Sequence, residues 1–394
     1  MDFSQETFLN KLAQTTDSPY LIAIERAEGI YLYSPDGKRY TDLISGIAVS
    51  NIGHRHPKVI EAIKRQLDKH LHVMVFGEYI QAPSNQLTAR LTGLLPKALN
   101  CCYFVNSGTE ANEGALKLAK RFTGRTEIVS CYKSYHGSTH GSLSVSGNEQ
   151  KKYAFRPLLP DVRFIHFNQA KDLETITDRT ACVIIETVQG DAGVRIPSKA
   201  YLQALRKRCS DTGALLIFDE IQCGMGRTGT LFAFEQFDVV PDILTIGKAF
   251  GGGLPIGAFI ADNEIMRTLT HHPPLGHITT FGGNPVCCAS ALATLAVIEE
   301  ENLLAGVEQK GKLFEKLLAH HSIRELRRIG LMFAIDFDSA DRVNRIVNLA
   351  KEKGIICYWF LSHPQSFRIA PPLTITEEQI RESCAVLIEC INKA

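Results

Sequence analysis

Several side chains that could do chemistry sit where apolar runs of the sequence end. Lys248 lies in ILTIGKAFGGGLPIGA (243–258), between a strand-like segment and a glycine-rich loop. Asp219 and Glu220 close the apolar run GALLIFDE, where a carboxylate is costly to desolvate unless it has a partner. Tyr135 and His136 fall in YKSYHG, where the tyrosine ring could stack on a flat ligand. Ser107, Gly108 and Thr109 follow CCYFV and open a helical pattern, so outward-facing amides and two hydroxyls would make an anion cradle. Each has a plainer reading: a turn lysine, a carboxylate paired with an arginine, a structural aromatic, and a capping box, Ser107-x-x-Glu110, that only starts a helix.

Two nucleotide motifs compete for the same segments. A phosphate-binding P-loop around Lys248 needs glycine where Asp242 stands and Ser or Thr where Ala249 stands, so it fails. GMGRTG (224–229) matches G-x-G-x-x-G, but EIQC separates it from the strand and TLFAFEQFDVVPD leaves poor room for the required helix. A covalent anchor fits better. Beside Ala249, Gly251, Gly252 and Gly253, a lysine sheds its proton readily and lets a carbonyl approach closely. One cofactor needs an anion cradle, an aromatic face, a carboxylate for a ring nitrogen and a Schiff-base lysine together, and that is pyridoxal phosphate (PLP).

Positioning these groups calls for a sheet whose strand ends converge. From about residue 100 to 260 the strand-like runs CCYFV, TEIVSC, VRFIHF, ACVIIE, GALLIFD and DILTIG alternate with helical patterns such as EANEGALKLAKRF and SKAYLQALRKRCSDTG. Near-continuous apolar strands between helices predict a mostly parallel sheet covered on both faces, with ligands at the strands' carboxyl ends. Earlier, GIYLYSPDGKRYTDL reads as a hairpin and HPKVIEAIKRQLDKHL as a helix. Later, VCCASALATLAVI reads as a buried helix, LMFAIDF, GIICYWF and SFRIA as strands, and 341–353 and 377–392 as helices. The expected architecture is α/β: residues 46–285 form a large cofactor-binding domain, 286–394 a smaller α+β domain, and 1–45 a segment packing with the small domain.

The chain has 394 residues, enough for two or three domains, and 43 basic side chains nearly balance 42 acidic ones. That balance argues against nucleic acid or an anionic membrane as partner. The first 20 residues lack a basic start and an apolar core, unlike a secretory signal, and no apolar run is long enough to span a bilayer. Eleven cysteines show no zinc spacing, so no metal is expected, and reduced thiols suit a cytoplasmic protein.

Over nearly its whole length, from ERAEGIYLYSPDGKRYTDLISGIAVSNIGHRHP to RIAPPL, the sequence resembles class III (subgroup II, fold type I) PLP-dependent aminotransferases, which include the ornithine, acetylornithine and 4-aminobutyrate enzymes. The segment LLIFDEIQCGMGRTG…PDILTIGKAFGGGLPIGA carries the likeness most specifically. The resemblance implies Lys248 as the lysine bonded to the cofactor and Asp219 as partner of the pyridinium nitrogen. It puts Gln222 near the phenolic oxygen, Tyr135 on the ring face with His136 alongside, and Glu186 beside the cofactor. It assigns Ser107, Gly108 and Thr109 to the phosphate, with Thr280 reaching the phosphate of a neighbouring subunit, which implies a homodimer with shared active sites. Arg368 would hold a substrate carboxylate bidentately.

Departures from that pattern bear on the donor. Ser138 stands where these enzymes usually have a carboxylate-binding arginine, Asp191 replaces the glutamate that covers Arg368, and Thr187 replaces a proline. Ile47, in GIAV, is closer to the acetylornithine and 4-aminobutyrate enzymes than to ornithine aminotransferase, whose tyrosine is missing there. The expectation is a ping-pong transaminase moving an amine from an ω-amino acid or diamine-type donor to a 2-oxo acid, 2-oxoglutarate first among them. An aminomutase or racemase of the same fold is the alternative, and it would need no separate acceptor.

Overall fold

The computed structural model describes residues 4–75 and 77–394. Met1 to Phe3, the start of the stretch read above as no secretory signal, lie outside the described residues. Three strands come first: β1 (Arg26–Glu28), β2 (Tyr31–Tyr33) and β3 (Arg39–Asp42). Seven follow: β4 (Cys101–Val105), β5 (Glu127–Cys131), β6 (Val162–Ile165), β7 (Thr180–Glu186), β8 (Leu215–Asp219), β9 (Ile243–Ile246) and β10 (Gly257–Ala261). Five close the chain: β11 (Glu325–Ile329), β12 (Met332–Asp336), β13 (Ile355–Ile356), β14 (Tyr358–Trp359) and β15 (Ser366–Ile369).

The seven middle strands make one sheet in the order β4-β10-β9-β8-β7-β5-β6. β6, β5, β7, β8 and β9 run parallel, while β10 is antiparallel to both β4 and β9. Alternate residues of each central strand enter different cores. Val183, Ile185, Leu216, Phe218, Leu244 and Ile246 face one, and Cys182, Ile184, Ile217 and Ile243 face the other. Burial on both faces is why these strands read as unbroken apolar runs rather than alternating ones.

Sequence periodicity misses β10. GAFIA follows the glycine loop with no long helix between it and β9, so it escapes the strand–helix alternation that marks its neighbours. The run GIICYWF is not one strand: β13 pairs parallel with β3, and after Cys357 β14 pairs antiparallel with β15. The chain's beginning and end therefore share one four-stranded sheet, β1-β2-β3-β13. VCCASALATLAVI does form a helix, Pro285–Glu300, started by Asn284, whose side chain accepts from the amides of Val286 (2.9 Å) and Cys287 (3.3 Å). The boundary expected at 285/286 falls at the start of this helix, and Cys288, Ala291, Leu295 and Ile298 pack into the core of the large sheet. No helix among the described residues is long and apolar enough to cross a membrane.

GMGRTG is a structural joint. Arg227 is fully buried and donates to the carbonyls of Leu331 (3.0 Å) and Pro371 (2.5 Å) and to Asn51 Oδ1. Burial pushes its guanidinium down to about 9, with Asp42 opposing. The loop that could have cradled a dinucleotide instead ties the large sheet to the C-terminal part of the chain.

Candidate active site

The parallel strands deliver their polar termini to one place. A cavity of about 260 Å³ is lined by Gly108, Thr109, Tyr135, His136, Glu186, Asp219, Gln222 and Lys248, with Ser138, Val188 and Ile221 between them. Each comes from a strand's carboxyl end or from the loop or helix start that follows it, as an open parallel sheet requires.

Asp219 is the last residue of β8 and is buried. Its Oδ2 accepts from Asn112 Nδ2 and from His136 Nδ1, both at 2.8 Å, and its Oδ1 accepts the Ile221 amide at 3.0 Å. A carboxylate oxygen has two lone pairs, so Oδ1 can accept one more donor. If His136 donates through Nδ1, its Nε2 is left as an acceptor, and that atom is buried without a protein partner. Asn112 was missed by motif reading. It sits in the helix Gly108–Thr123, its Nδ2 also donates to the His136 carbonyl (2.7 Å) and its Oδ1 accepts from Thr245 Oγ1 (2.8 Å). The available signal was its spacing: Asn112 precedes Leu116 by four and Ala119 by seven, a lone polar residue on the buried face.

Lys248 follows β9 with φ +48°, a left-handed conformation uncommon for a side-chain-bearing residue. Burial pushes its ammonium below the usual lysine range, Asp219 and Glu186 pull the other way, and Arg368 adds to the depression. Its Nζ makes no hydrogen bond or ion pair among the described residues. Glu186 ends β7 and accepts the amides of Tyr135 (3.2 Å) and Gly190 (3.0 Å). Burial raises its carboxyl to about 7, helped by Asp219 and opposed by His136 and the two amides. Glu220 points elsewhere, accepting from Ala233 N (2.6 Å), Phe234 N (2.7 Å) and Thr187 Oγ1 (3.0 Å). The threonine in place of proline thus has a structural use.

At the cradle, Ser107 Oγ is spent on the Glu110 amide (3.2 Å) as the N-cap, while Gly108 and Thr109 face the cavity. Their amides belong to the first helical turn and have no carbonyl four residues back within the helix. A Cβ on Gly108 would lie 2.7 Å from Ile221 Cγ2, so only glycine leaves the cradle undistorted. Tyr135 and Val188 both line the space where a flat ring would lie.

Of the other expected residues, Arg368, Asp191, Ile47 and Thr280 lie outside this cavity and Ser138 is at its wall. Arg368, in β15, is buried with Nη2 at 3.6 Å from Asp191 Oδ1. Ser138 and Tyr135, whose hydroxyls are 3.4 Å apart, also line a second cavity of about 360 Å³ together with Asp191, Lys151 and Leu361. Ile47 is exposed at φ +65°, and Thr280 is exposed in the stretch before Gly282.

These features fit PLP: a helix start for a phosphate, a buried carboxylate with a free lone pair for a ring nitrogen, and a lysine easily deprotonated. Fold and site together define a fold type I PLP enzyme. The chain belongs to the class-III aminotransferase family, whose sequence profile matches residues 12–391, and it is a PLP-dependent transaminase. It is 41% identical over 373 residues to an acetylornithine aminotransferase of Methanocaldococcus jannaschii, covering 91% of this chain and 90% of the relative. It is 36% identical to a [LysW]-aminoadipate semialdehyde/glutamate semialdehyde transaminase of Sulfolobus acidocaldarius, covering 94% and 95%. An amine transaminase from an uncultivated Pseudomonas species, solved with PLP bound, superposes with a TM-score of 0.91 at 27% identity over 100% of both chains.

Proposed function

We propose that this transaminase takes its amine from an ω-amino acid or diamine-type donor and passes it to a 2-oxo acid, with 2-oxoglutarate the expected acceptor, in two successive half-reactions at one site. When bound, PLP supplies an aldehyde that bonds amines and a ring that draws electrons from the adjoining carbon. Asp219, oriented by Asn112 and His136, would hold a proton on the ring nitrogen. Gly108 and Thr109 would hold the phosphate, Tyr135 would lie against the ring and Gln222 would be the partner of its phenolic oxygen. Lys248 would anchor the cofactor, and its Nζ, whose ammonium form burial disfavours, would carry the proton from the donor's amine-bearing carbon to the cofactor carbon that bore the aldehyde. Arg368 binds the acceptor's carboxylate.

The observation that carries the donor class is the Asp191–Arg368 ion pair at 3.6 Å, together with serine at 138. With Arg368 paired and no arginine at 138, the donor side offers little to a molecule held at both ends by carboxylates. The relatives named above are an acetylornithine aminotransferase and a [LysW]-aminoadipate semialdehyde/glutamate semialdehyde transaminase, names that support terminal-amine chemistry with a variable far end.

The active unit is a homodimer in the cytoplasm. Leu275, Ile278 and Phe281 are exposed around Thr280, an apolar stretch suited to a second copy, which would bring Thr280 to the partner's phosphate. A donor panel assayed with 2-oxoglutarate and with pyruvate tests the reading. Acceptor-dependent turnover of terminal amines is expected, and isomerisation without any acceptor would refute it.

A further inference from the structure

The carboxylate beside Arg368 is not free to move. Asp191 Oδ1 accepts the Leu361 amide at 3.0 Å, and Oδ2 accepts the Ser362 hydroxyl at 2.8 Å. Ser362 Oγ in turn accepts from Asn148 Nδ2 at 2.9 Å, so a large-domain loop secures the turn that secures the aspartate. Arg368 is held separately: Nε and Nη2 both donate to the Trp359 carbonyl, at 3.2 and 3.0 Å, and the guanidinium lies 4.8 Å from the centre of the Phe360 ring. The 3.6 Å separation from Asp191 exceeds hydrogen-bond length. Among the described residues, Nη1 of Arg368 has no partner.

We propose that Ser362, steadied by Asn148, is a positioning residue for the acceptor half-reaction: it keeps Asp191 on the 361–362 turn and leaves one edge of Arg368 open to a 2-oxo acid. Given the reading of Arg368 as the carboxylate site, no swing of the aspartate is needed to admit the acceptor. Asp191 offsets the arginine's charge for the donor but forms no bidentate lock on it. Removing the serine hydroxyl frees Oδ2, and the carboxylate then turns onto Arg368 and competes with substrate.

The test is steady-state kinetics of the PLP-loaded enzyme with a terminal-amine donor and 2-oxoglutarate. Ser362→Ala should raise the acceptor KM about fivefold, the worth of roughly one hydrogen bond, with donor KM and kcat within about twofold. Ser362→Thr should restore it, and Asn148→Ala should shift it in the same direction by about twofold. Adding Asp191→Ala to Ser362→Ala should bring the acceptor KM back down, because nothing remains to cover Arg368. An unchanged acceptor KM in Ser362→Ala, or equal rises in both KM values, overturns the positioning role. Arg368→Lys separates the two levels: if it leaves the acceptor KM unchanged, the carboxylate site itself is wrong, whereas a sensitive Arg368→Lys with a silent Ser362→Ala removes only the role of Ser362.

Discussion

Asn112→Leu keeps the side chain's volume while deleting its hydrogen bonds, and it probes the ring-nitrogen partner without touching it. Asp219 Oδ2 loses one of its two donors, the His136 carbonyl loses the amide at 2.7 Å, and Thr245 Oγ1 loses the nearer of its two acceptors, at 2.8 Å, keeping only the Phe218 carbonyl at 3.5 Å. A hydrogen bond to a charged group is worth about 1.5–3 kcal/mol, so whatever depends on the carboxylate's placement should fall roughly 10- to 150-fold. Stability should drop by about 2–4 kcal/mol, since two further buried polar groups lose a partner. PLP titration of the apoenzyme and kcat at saturating cofactor separate binding from chemistry. We expect weaker PLP binding and a kcat reduced at least tenfold even when the site is full, because the aspartate can then rotate away from the ring nitrogen. If Asn112→Leu holds PLP normally and turns over within twofold of the parent, His136 and the Ile221 amide suffice to orient Asp219, and the reasoning fails.

The apoenzyme should become less stable as pH rises from about 4.5 to about 7, because Glu186 and Glu220, both raised to about 7 chiefly by burial, keep protons that the unfolded chain has released. Melting temperature against pH checks this: Glu186→Gln should flatten the slope in that window, and an unchanged slope would place its titration elsewhere. Ser138→Arg should raise kcat/KM for donors with a distal carboxylate about tenfold, roughly one charge-assisted contact, and unchanged relative rates across a donor panel would refute that. Gly108→Ala sets a methyl 2.7 Å from Ile221 Cγ2 and should weaken PLP binding more than it lowers kcat at saturation. A normal PLP titration curve for this variant would show that the helix start is not the phosphate cradle.

Residues that punctuate strand ends were legible because the parallel sheet turns sequence order into spatial convergence: Asp219 and Lys248 close or follow a run buried on both faces, whereas Glu186, at the end of another such run, came only from the family resemblance. What pattern reading missed depends on long-range pairing. β10 escapes because it is an antiparallel insertion without a long intervening helix, and GIICYWF is divided between two sheets by partners some 300 and 10 residues away. Asn112 hides inside a helix pattern whose other buried positions are apolar or glycine. Asn148 and Ser362 lie 214 residues apart in loops, and only the folded chain joins them.

Lys248 Nζ is the one amine proposed to bond the cofactor. Borohydride reduction of the PLP-loaded enzyme, followed by proteolysis and mass mapping, should place the pyridoxyl adduct on the peptide containing Lys248, and Lys248→Ala should lose multiple turnover while keeping its fold. An adduct on a different lysine, or sustained transamination by Lys248→Ala, would contradict the account.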